Sequence, residues 1–440
     1  MRRYVLVGSG AAGVAAAEAI RSQDAQGEII LISEEKEGYY SRPGLAYYLT
    51  NELPEKQLYP FNQSDFKRLN LKFLRGRVIG IDAQEHKIES ETGKQLTYDK
   101  LLIATGARAN MPEMSGMDLG GVVKLDSLRD ARELVKRARK SRSAVVVGGG
   151  ITALELVEGL RARSVRTHYL LRKDRYWGNV LDETESKIVL SRLKKEGVRV
   201  HFNTQIKGLI GSKGQLKAVL CSDDKQIKAN LAAFAIGIRP RLHLAHSAGI
   251  RTDRGIVVDE YLQSSHADIY AAGDAAQVYD PVRDEAVLDS LWWPARKQGH
   301  TAGLNMSGQR VAYHKSVPYN VTRLAGLTTT IIGEVGAGQD EDLFGIARGD
   351  SETWRGVPEA IASQSHFDVN RIRLMVGEKT LRGALIMGDQ TISPYVQEMV
   401  TARADITPIR ELLMTPKAKI ADIIVQFWTP RRQAHAARGA

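Results

Sequence analysis

Two glycine-rich turns, each directly after an apolar run, constrain this chain more than any other feature. The first, Gly8-Ser9-Gly10-Ala11-Ala12-Gly13, follows residues 4–7, and the second, Gly148-Gly149-Gly150-Ile151-Thr152-Ala153, follows residues 144–147. Each leads into a segment of small residues, which is the strand–turn–helix context of a dinucleotide site. Glycine is needed because a pyrophosphate must reach bare backbone N–H groups at a helix N-terminus. Two such turns predict two dinucleotides and suggest electron transfer between them.

The residue that would bind the adenosine ribose differs between the two sites. After the first turn, the strand-like run 28–33 is followed by Glu34. A carboxylate there accepts hydrogen bonds from ribose hydroxyls, which favours FAD or NAD. After the second turn, the run 168–171 ends at Arg172, followed by Lys173 and Arg175. Cations at that position can pair with a 2′-phosphate, which favours NADP.

The length and composition indicate a globular protein of several domains. The chain has 440 residues, 43% of them hydrophobic and 26% charged, which predicts about three ordinary domains. Met1-Arg2-Arg3 runs straight into the first apolar strand, and no apolar run has membrane-spanning length. We therefore expect a cytoplasmic protein.

A single cysteine limits the redox chemistry that the chain can perform alone. Cys221 cannot form an intramolecular disulfide, and the chain cannot hold a four-cysteine iron–sulfur cluster. The strand-like run 216–220 before it favours a buried, small hydrophobic role over a catalytic thiol. The sequence predicts no metal site.

The net charge of +11 is compatible with nucleic acid, anionic lipid or an acidic protein as a partner. The basic residues are spread along the chain without an aromatic-interleaved patch, so we do not expect nucleic-acid binding. A basic surface with phosphate-binding sites explains the charge, and an acidic electron-carrier protein is the second explanation.

The order of apolar segments predicts an α/β fold. Strands alternate with helices through both glycine-turn units and a further strand at 269–272, which implies doubly wound sheets with ligands at the carboxyl ends of the strands. Beyond residue 308, the runs 328–332, 371–375 and 383–387 predict antiparallel strands, followed by a helix at 394–403.

Six motifs occur in the order found in the FAD-dependent pyridine nucleotide–disulfide oxidoreductase superfamily, which the chain resembles over almost its whole length. They are residues 8–13, Glu34, Ala104-Thr105-Gly106, residues 148–155, Ala235-Ile236-Gly237-Ile238-Arg239-Pro240, and Gly273-Asp274. The resemblance implies two Rossmann-like domains and a C-terminal α+β domain that often forms a dimer interface. The expected boundaries are 1–110 with 236–315 for FAD, 111–235 for NAD(P)H, and 316–440 for the interface domain, and a homodimer is expected.

Within that superfamily the chain is most similar to rubredoxin reductase and the flavin part of nitrite reductase. Three stretches carry this likeness: Tyr40-Ser41-Arg42-Pro43-Gly44-Leu45, Trp293-Pro294-Ala295-Arg296-Lys297-Gln298-Gly299, and residues 383–389. Two positions depart from related patterns. Pro43 stands where coenzyme A disulfide reductases and NADH oxidases carry a nucleophilic cysteine, and Tyr47 stands where rubredoxin reductases often carry a lysine near flavin N5.

The resemblance assigns roles to particular residues. The expected FAD contacts are Gly8, Gly10, Ala12, Gly13, Glu34, Arg42, Val78, Ala104, Thr105, Gly106, Gly273 and Asp274. The expected NAD(P)H contacts are Gly148, Gly150, Ile151, Glu155, Arg172, Lys173, Arg175 and Gly237. The expected flavin environment is Arg42, Pro43, Tyr47, Glu155, Trp292 and Trp293, with no certain catalytic side chain.

The implied function is hydride transfer from NADPH or NADH to FAD, followed by electron transfer to an acceptor such as rubredoxin or ferredoxin. One alternative is the flavoprotein electron-transfer subunit of a larger complex, but the intact Gly148, Gly150 and Arg172 argue against a vestigial nicotinamide site. Another is a membrane-associated quinone reductase. Its basis is the stripe of Ile420, Ile423, Ile424 and Phe427 before Arg431 and Arg432, although such a stripe is more typical of a core or a subunit interface.

Overall fold

The first three hundred residues form parallel sheets with helices and several smaller sheets, and an antiparallel sheet with helices follows. The computed structural model describes residues 1–281, 283–335, 370–415 and 418–436. The contacts divide the chain into two units. The first contains Met1–Asp174 and Lys194–Lys315, and the second contains Arg175–Leu193 and the described residues from Ser316 onward. The three-domain boundaries expected from the sequence stay a prediction.

The strands are, in chain order, β1 (Arg3–Val7), β2 (Glu28–Ser33), β3 (Leu71–Arg75), β4 (Val78–Asp82), β5 (Lys87–Ser90), β6 (Gln95–Thr97), β7 (Lys100–Ile103), β8 (Ala107–Ala109), β9 (Val122–Lys124), β10 (Ser143–Val147), β11 (Arg166–Leu170), β12 (Arg199–His201), β13 (Ile206–Ser212), β14 (Gln215–Cys221), β15 (Gln226–Lys228), β16 (Leu231–Phe234), β17 (Ile238–Pro240), β18 (Ile256–Val257), β19 (Ile269–Ala271), β20 (Ala276–Asp280), β21 (Glu285–Leu288), β22 (Tyr319–Leu324), β23 (Leu327–Gly333), β24 (Arg371–Val376) and β25 (Leu381–Met387).

The α-helices are α1 (Ala11–Gln23), α2 (Leu45–Thr50), α3 (Gln63–Leu69), α4 (Leu128–Ala138), α5 (Ile151–Arg161), α6 (Glu183–Lys195), α7 (His243–Ser247), α8 (Trp292–Met306), α9 (Ser393–Thr401), α10 (Arg410–Met414) and α11 (Ile420–Ala436).

The first unit contains two five-stranded parallel sheets. One has the order β19-β7-β1-β2-β3 and the other has the order β12-β11-β10-β16-β9. Their central strands are apolar and buried along almost their whole length, as expected for parallel sheets covered on both faces. Each glycine turn follows a central strand, β1 in one sheet and β10 in the other. The prediction of two doubly wound sheets is confirmed.

Helices α1 and α8 pack closely because glycines of α8 meet the backbone of α1. A Cβ on Gly299 would lie 2.1 Å from the Ala12 carbonyl oxygen, and a Cβ on Gly303 would lie 2.5 Å from that of Ala16. Both distances are far below van der Waals contact, so no larger residue fits without moving a helix. This packing fixes the N-terminal end of α8 beside the first glycine turn.

The second unit is built on the antiparallel sheet β22-β23-β25-β24. This arrangement confirms the antiparallel strands predicted beyond residue 308. Its core contains apolar side chains from the sheet and from helices α9 and α11, among them Ile386, Val396 and Trp428. The fully buried Glu185 accepts hydrogen bonds from Arg373 at 2.8 and 3.0 Å, which ties residues 175–193 to β24.

The apolar stripe of α11 belongs to this core. Ile424 and Phe427 are buried, and Ile420 and Ile423 pack against the same cluster. The stripe therefore fills the interior of the second unit, as the core interpretation expects. None of the helices within the described ranges combines the length and the apolar character that crossing a membrane requires.

Candidate functional site

The first glycine turn has the geometry of an anion-binding helix start. Gly8 has φ +120°, and a Cβ there would lie 2.1 Å from the carbonyl oxygen of Ala104, which directly follows β7. Gly13 packs against the turn itself, since its Cβ would lie 1.9 Å from the Gly8 carbonyl oxygen. Gly10 precedes the first residue of α1, and no described residue other than its chain neighbours has an atom within 4 Å of a Cβ position there. The backbone N–H groups at the start of α1 are thereby open to an anionic ligand.

A cavity of about 360 Å³ opens at this turn. Its lining includes every residue that the sequence assigns to FAD except Gly13, together with Pro43 and Trp292 from the expected flavin environment. The lining includes the carboxyl ends of β1, β2, β7 and β19, where parallel sheets bind their ligands. Gly13 instead packs against the Gly8 carbonyl of the turn. The remaining members of the expected flavin environment, Tyr47, Glu155 and Trp293, do not line this cavity.

The Gly273-Asp274 pair lies on the side of the cavity formed by α8. Gly273 has φ +77°, a conformation that glycine adopts without strain. Its backbone N–H donates to the buried Gln298 side chain at 2.8 Å, so α8 holds this turn in place. Trp292 begins the same helix and lies under the Arg296 guanidinium at 5.5 Å. The neighbouring Trp293 is 45% exposed.

Charged side chains line another part of the cavity wall. Arg42 donates to the Glu35 carboxylate and to the backbone carbonyl of Asp126. Glu34 pairs with Arg241 at 3.1 Å, and Arg241 also lies 3.6 Å from the Asp126 carboxylate. This set places three acidic and two basic side chains around a site predicted to hold a charged dinucleotide.

Sequence reasoning missed Glu35, Asp126 and Arg241. The signals were present but weak. Glu35 and Arg241 each directly follow a motif residue, namely Glu34 and Pro240. Asp126 lies two residues after the carboxyl end of β9, the edge at which parallel sheets collect functional residues.

The second glycine turn repeats the geometry of the first. Gly148 has φ +146°, and a Cβ there would lie 2.2 Å from the carbonyl oxygen of Ala235, which follows β16. Gly150 precedes α5, whose first residue, Ile151, is buried. Glu155 lies one turn further along the helix and is 9% exposed. Gly237, with φ +100°, follows β16 two residues after Ala235.

The three cations expected to select a 2′-phosphate follow β11 in sequence. Arg172 and Lys173 are exposed just beyond β11. Arg175 instead directs its guanidinium to the Gly178 carbonyl at 3.4 Å and groups with the second unit. The assignment of all three cations to a 2′-phosphate stays a prediction.

The single cysteine is a packing residue. Cys221 ends β14 and is 1% exposed, in a cluster with Leu209, Val219 and Phe234. Burial raises the pKa of its thiol, which disfavours the reactive thiolate. The sequence prediction of a small hydrophobic role agrees with this placement.

Known proteins resemble the chain across most of its length. It is 32% identical to the ferredoxin–NAD(+) reductase component of the biphenyl dioxygenase system of Paraburkholderia xenovorans, over 79% of this chain and 84% of that protein. It is 32% identical to a rubredoxin–NAD(+) reductase of Ectopseudomonas oleovorans, over 63% of this chain and 72% of that protein. It is 30% identical to an NADH oxidase of Methanocaldococcus jannaschii, over 74% of each.

A solved structure shares the fold over nearly the whole chain. The putidaredoxin reductase–putidaredoxin complex aligns with a TM-score of 0.80 and 22% identity, covering 97% of this chain and 98% of that one. Residues 2–299, which include both glycine turns, match the family described as pyridine nucleotide-disulphide oxidoreductase. The chain therefore belongs to the pyridine nucleotide-disulphide oxidoreductase family.

Proposed function

We propose that this protein is a flavoprotein reductase that takes hydride from a nicotinamide dinucleotide onto FAD and passes electrons to a small redox protein. The observation that carries the proposal is the cavity at the first glycine turn, lined by all but one of the residues assigned to FAD. The names of its relatives, which include a rubredoxin reductase and a ferredoxin reductase, support the same class of reaction.

The residues of the first cavity suit FAD. The open face of Gly10 leaves room for a pyrophosphate on the N–H groups of α1, and Glu34 has a 47% exposed side chain for ribose hydroxyls. Arg42, Arg77 and Arg108 also line the cavity and offset phosphate charge. FAD, when bound, supplies the step from a two-electron hydride donor to one-electron release.

The chain itself supplies position and electrostatics rather than a nucleophile. Pro43 lines the cavity at the position where disulfide-reducing relatives carry a cysteine, and the only cysteine is the buried Cys221. Turnover therefore proceeds without a protein thiol, so a disulfide is not the expected acceptor.

The acceptor is best identified by a panel assayed anaerobically with NADPH or NADH as donor. We expect fast reduction of rubredoxin or a [2Fe–2S] ferredoxin, and slow reduction of a disulfide, a quinone and oxygen. Rapid reduction of quinone or oxygen alone, with neither protein reduced, would contradict the proposed acceptor class.

We also propose a preference for NADPH, which rests on Arg172 and Lys173 at the end of β11. The names of the relatives specify NAD(+), so this preference would distinguish the chain from them. A 2′-phosphate gains charge-assisted hydrogen bonds from these cations that a 2′-hydroxyl cannot form.

Arg172→Glu tests the preference. Losing such a contact costs about 1.5–3 kcal/mol, so kcat/KM for NADPH should fall at least about tenfold while NADH is used equally or better. Stopped-flow reduction of the flavin by NADPH and by NADH measures how well the wild type and the variant use each nucleotide. Lys217→Glu, on β14, provides an exposed charge-reversal control. Faster reduction of the wild type by NADH, or unchanged nucleotide preference in the variant, would contradict the assignment.

A further inference from the structure

We infer that Arg241 is a positioning residue of the first cavity, holding the Glu34 carboxylate where it meets the ribose of the adenosine half of the dinucleotide. The inference rests on the proposed function, because it takes FAD as the ligand of this cavity. Arg241 lines the cavity together with Glu34 and Asp126.

The backbone of Arg241 is anchored to the segment that follows β7. Its N–H donates to the Gly106 carbonyl at 2.9 Å, and its own carbonyl accepts from the Thr105 hydroxyl at 3.1 Å. Its side-chain Nε donates to the Ala107 carbonyl at 3.2 Å. Two of these hydrogen bonds hold the backbone of Arg241, and the third orients its guanidinium.

The two terminal nitrogens of this anchored group face two carboxylates. Nη1 lies 3.1 Å from Glu34 Oε1, and Nη2 lies 3.6 Å from Asp126 Oδ2. A carboxylate offers about four acceptor positions on its two oxygens. The hydrogen bond from Arg241 goes to Oε1 of Glu34 and leaves acceptor positions of the carboxylate for ribose hydroxyls while the side chain is held in place.

Charge gives Arg241 a second role at the same site. Glu34, Glu35 and Asp126 all line the cavity, and each carries a negative charge that repels the pyrophosphate of a dinucleotide. Glu35 is paired with Arg42, whereas Glu34 pairs with Arg241, which also approaches Asp126. Removing Arg241 would take this ion pair from Glu34, whereas Asp126 keeps Lys124 at 3.3 Å, so the change should act mainly through Glu34.

The test uses full-length protein stripped of flavin and titrated separately with FAD and with ADP. Arg241→Met should weaken both at least about tenfold, because the affected contact is on the adenosine half. Arg251→Met, at an exposed arginine that does not line the cavity, should bind both ligands as the wild type does. Thermal unfolding of each apoprotein verifies that the variants fold.

A double-variant cycle separates positioning from a merely structural role. If Arg241 acts through Glu34, the double variant that combines Glu34→Gln with Arg241→Met should bind FAD about as weakly as the weaker-binding of the two single variants. Arg241→Lys keeps the charge but not the fork of donors, and should recover part of the affinity.

Arg241→Met binding FAD within twofold of the wild type, or fully additive losses in the double variant, would overturn the inference. Failure of the wild-type apoprotein to bind FAD would instead overturn the proposed function, so the two failures are distinguishable.

Discussion

At the scale of single residues, the glycines of the first turn fall into two kinds that the structure separates. Gly8 and Gly13 are required by the fold, since a Cβ on either would lie 2.1 or 1.9 Å from a backbone carbonyl oxygen. Gly10 is not required by any protein neighbour within 4 Å. Its lack of a side chain matters only to whatever approaches the helix N-terminus, which is why the position reports on the ligand.

Alanine substitutions at these positions should therefore have different effects. The free energy of unfolding of the Gly10→Ala apoprotein should lie within about 1 kcal/mol of the wild-type value, the scale of a change at a helix N-cap. The same variant should bind FAD at least about tenfold more weakly. Gly8→Ala should destabilise the apoprotein as well, because φ +120° is strained for alanine and the Cβ meets Ala104. Denaturant unfolding and FAD titration of both variants measure the contrast. Equal apoprotein stabilities for the two variants would contradict it.

At the scale of elements, neighbouring strands and helices are joined by a few close contacts. Strands β11 and β12 carry a pair of stacked imidazoles, with His168 Nδ1 3.0 Å from His201 Nε2. Burial, then His201 and the nearby Arg199 and Arg166, lower the pKa of His168 to about 4. The pKa of His201 is also lowered, chiefly by burial and Arg199, with Asp223 opposing and Lys225 adding to that effect.

This imidazole pair should make the stability of the protein pH-dependent. The unfolded chain takes up the His168 proton near pH 6.5 and the folded chain only near pH 4. The unfolded state therefore binds more protons between those values, and the free energy of unfolding should fall as the pH is lowered from 7 to 5. His168→Gln should flatten that slope, whereas His246→Gln, at an exposed position, should not. Identical slopes for His168→Gln and the wild type, measured by denaturant unfolding, would be inconsistent with the lowered pKa.

The contact of α8 with α1 is the second element-scale feature open to test. Gly299→Ala places a Cβ 2.1 Å from the Ala12 carbonyl oxygen, so the helices must separate. We expect a loss of about 1–3 kcal/mol in the free energy of unfolding, together with weaker FAD binding, since α8 also holds the Gly273 turn through Gln298. His300→Ala, exposed on the same helix, is the matched control. Wild-type stability in Gly299→Ala would refute the packing argument.

At the scale of the whole molecule, the features that the sequence predicts are those determined by the backbone conformation of one short segment. The glycine turns, Glu34 and the alternating strands were recognisable because each depends on a short segment with its own steric signature. Asp126 and Arg241 were not, because their roles arise only when segments distant in sequence meet at one cavity wall. The hydrogen bond of Arg175 to the Gly178 carbonyl is a further contact that the sequence pattern does not predict. Tyr47 and Trp293 likewise fall in the expected stretches but do not line the cavity.

The central claim is that the first cavity holds FAD and that a nicotinamide dinucleotide reduces it. The most direct measurement is the visible spectrum of the purified protein, with the flavin quantified per chain, before and after anaerobic mixing with NADPH or NADH. The account predicts yellow protein with about one FAD per chain, bleached rapidly by one or both nucleotides. Colourless protein that cannot be reconstituted with FAD, or bound flavin that neither nucleotide reduces, would contradict it.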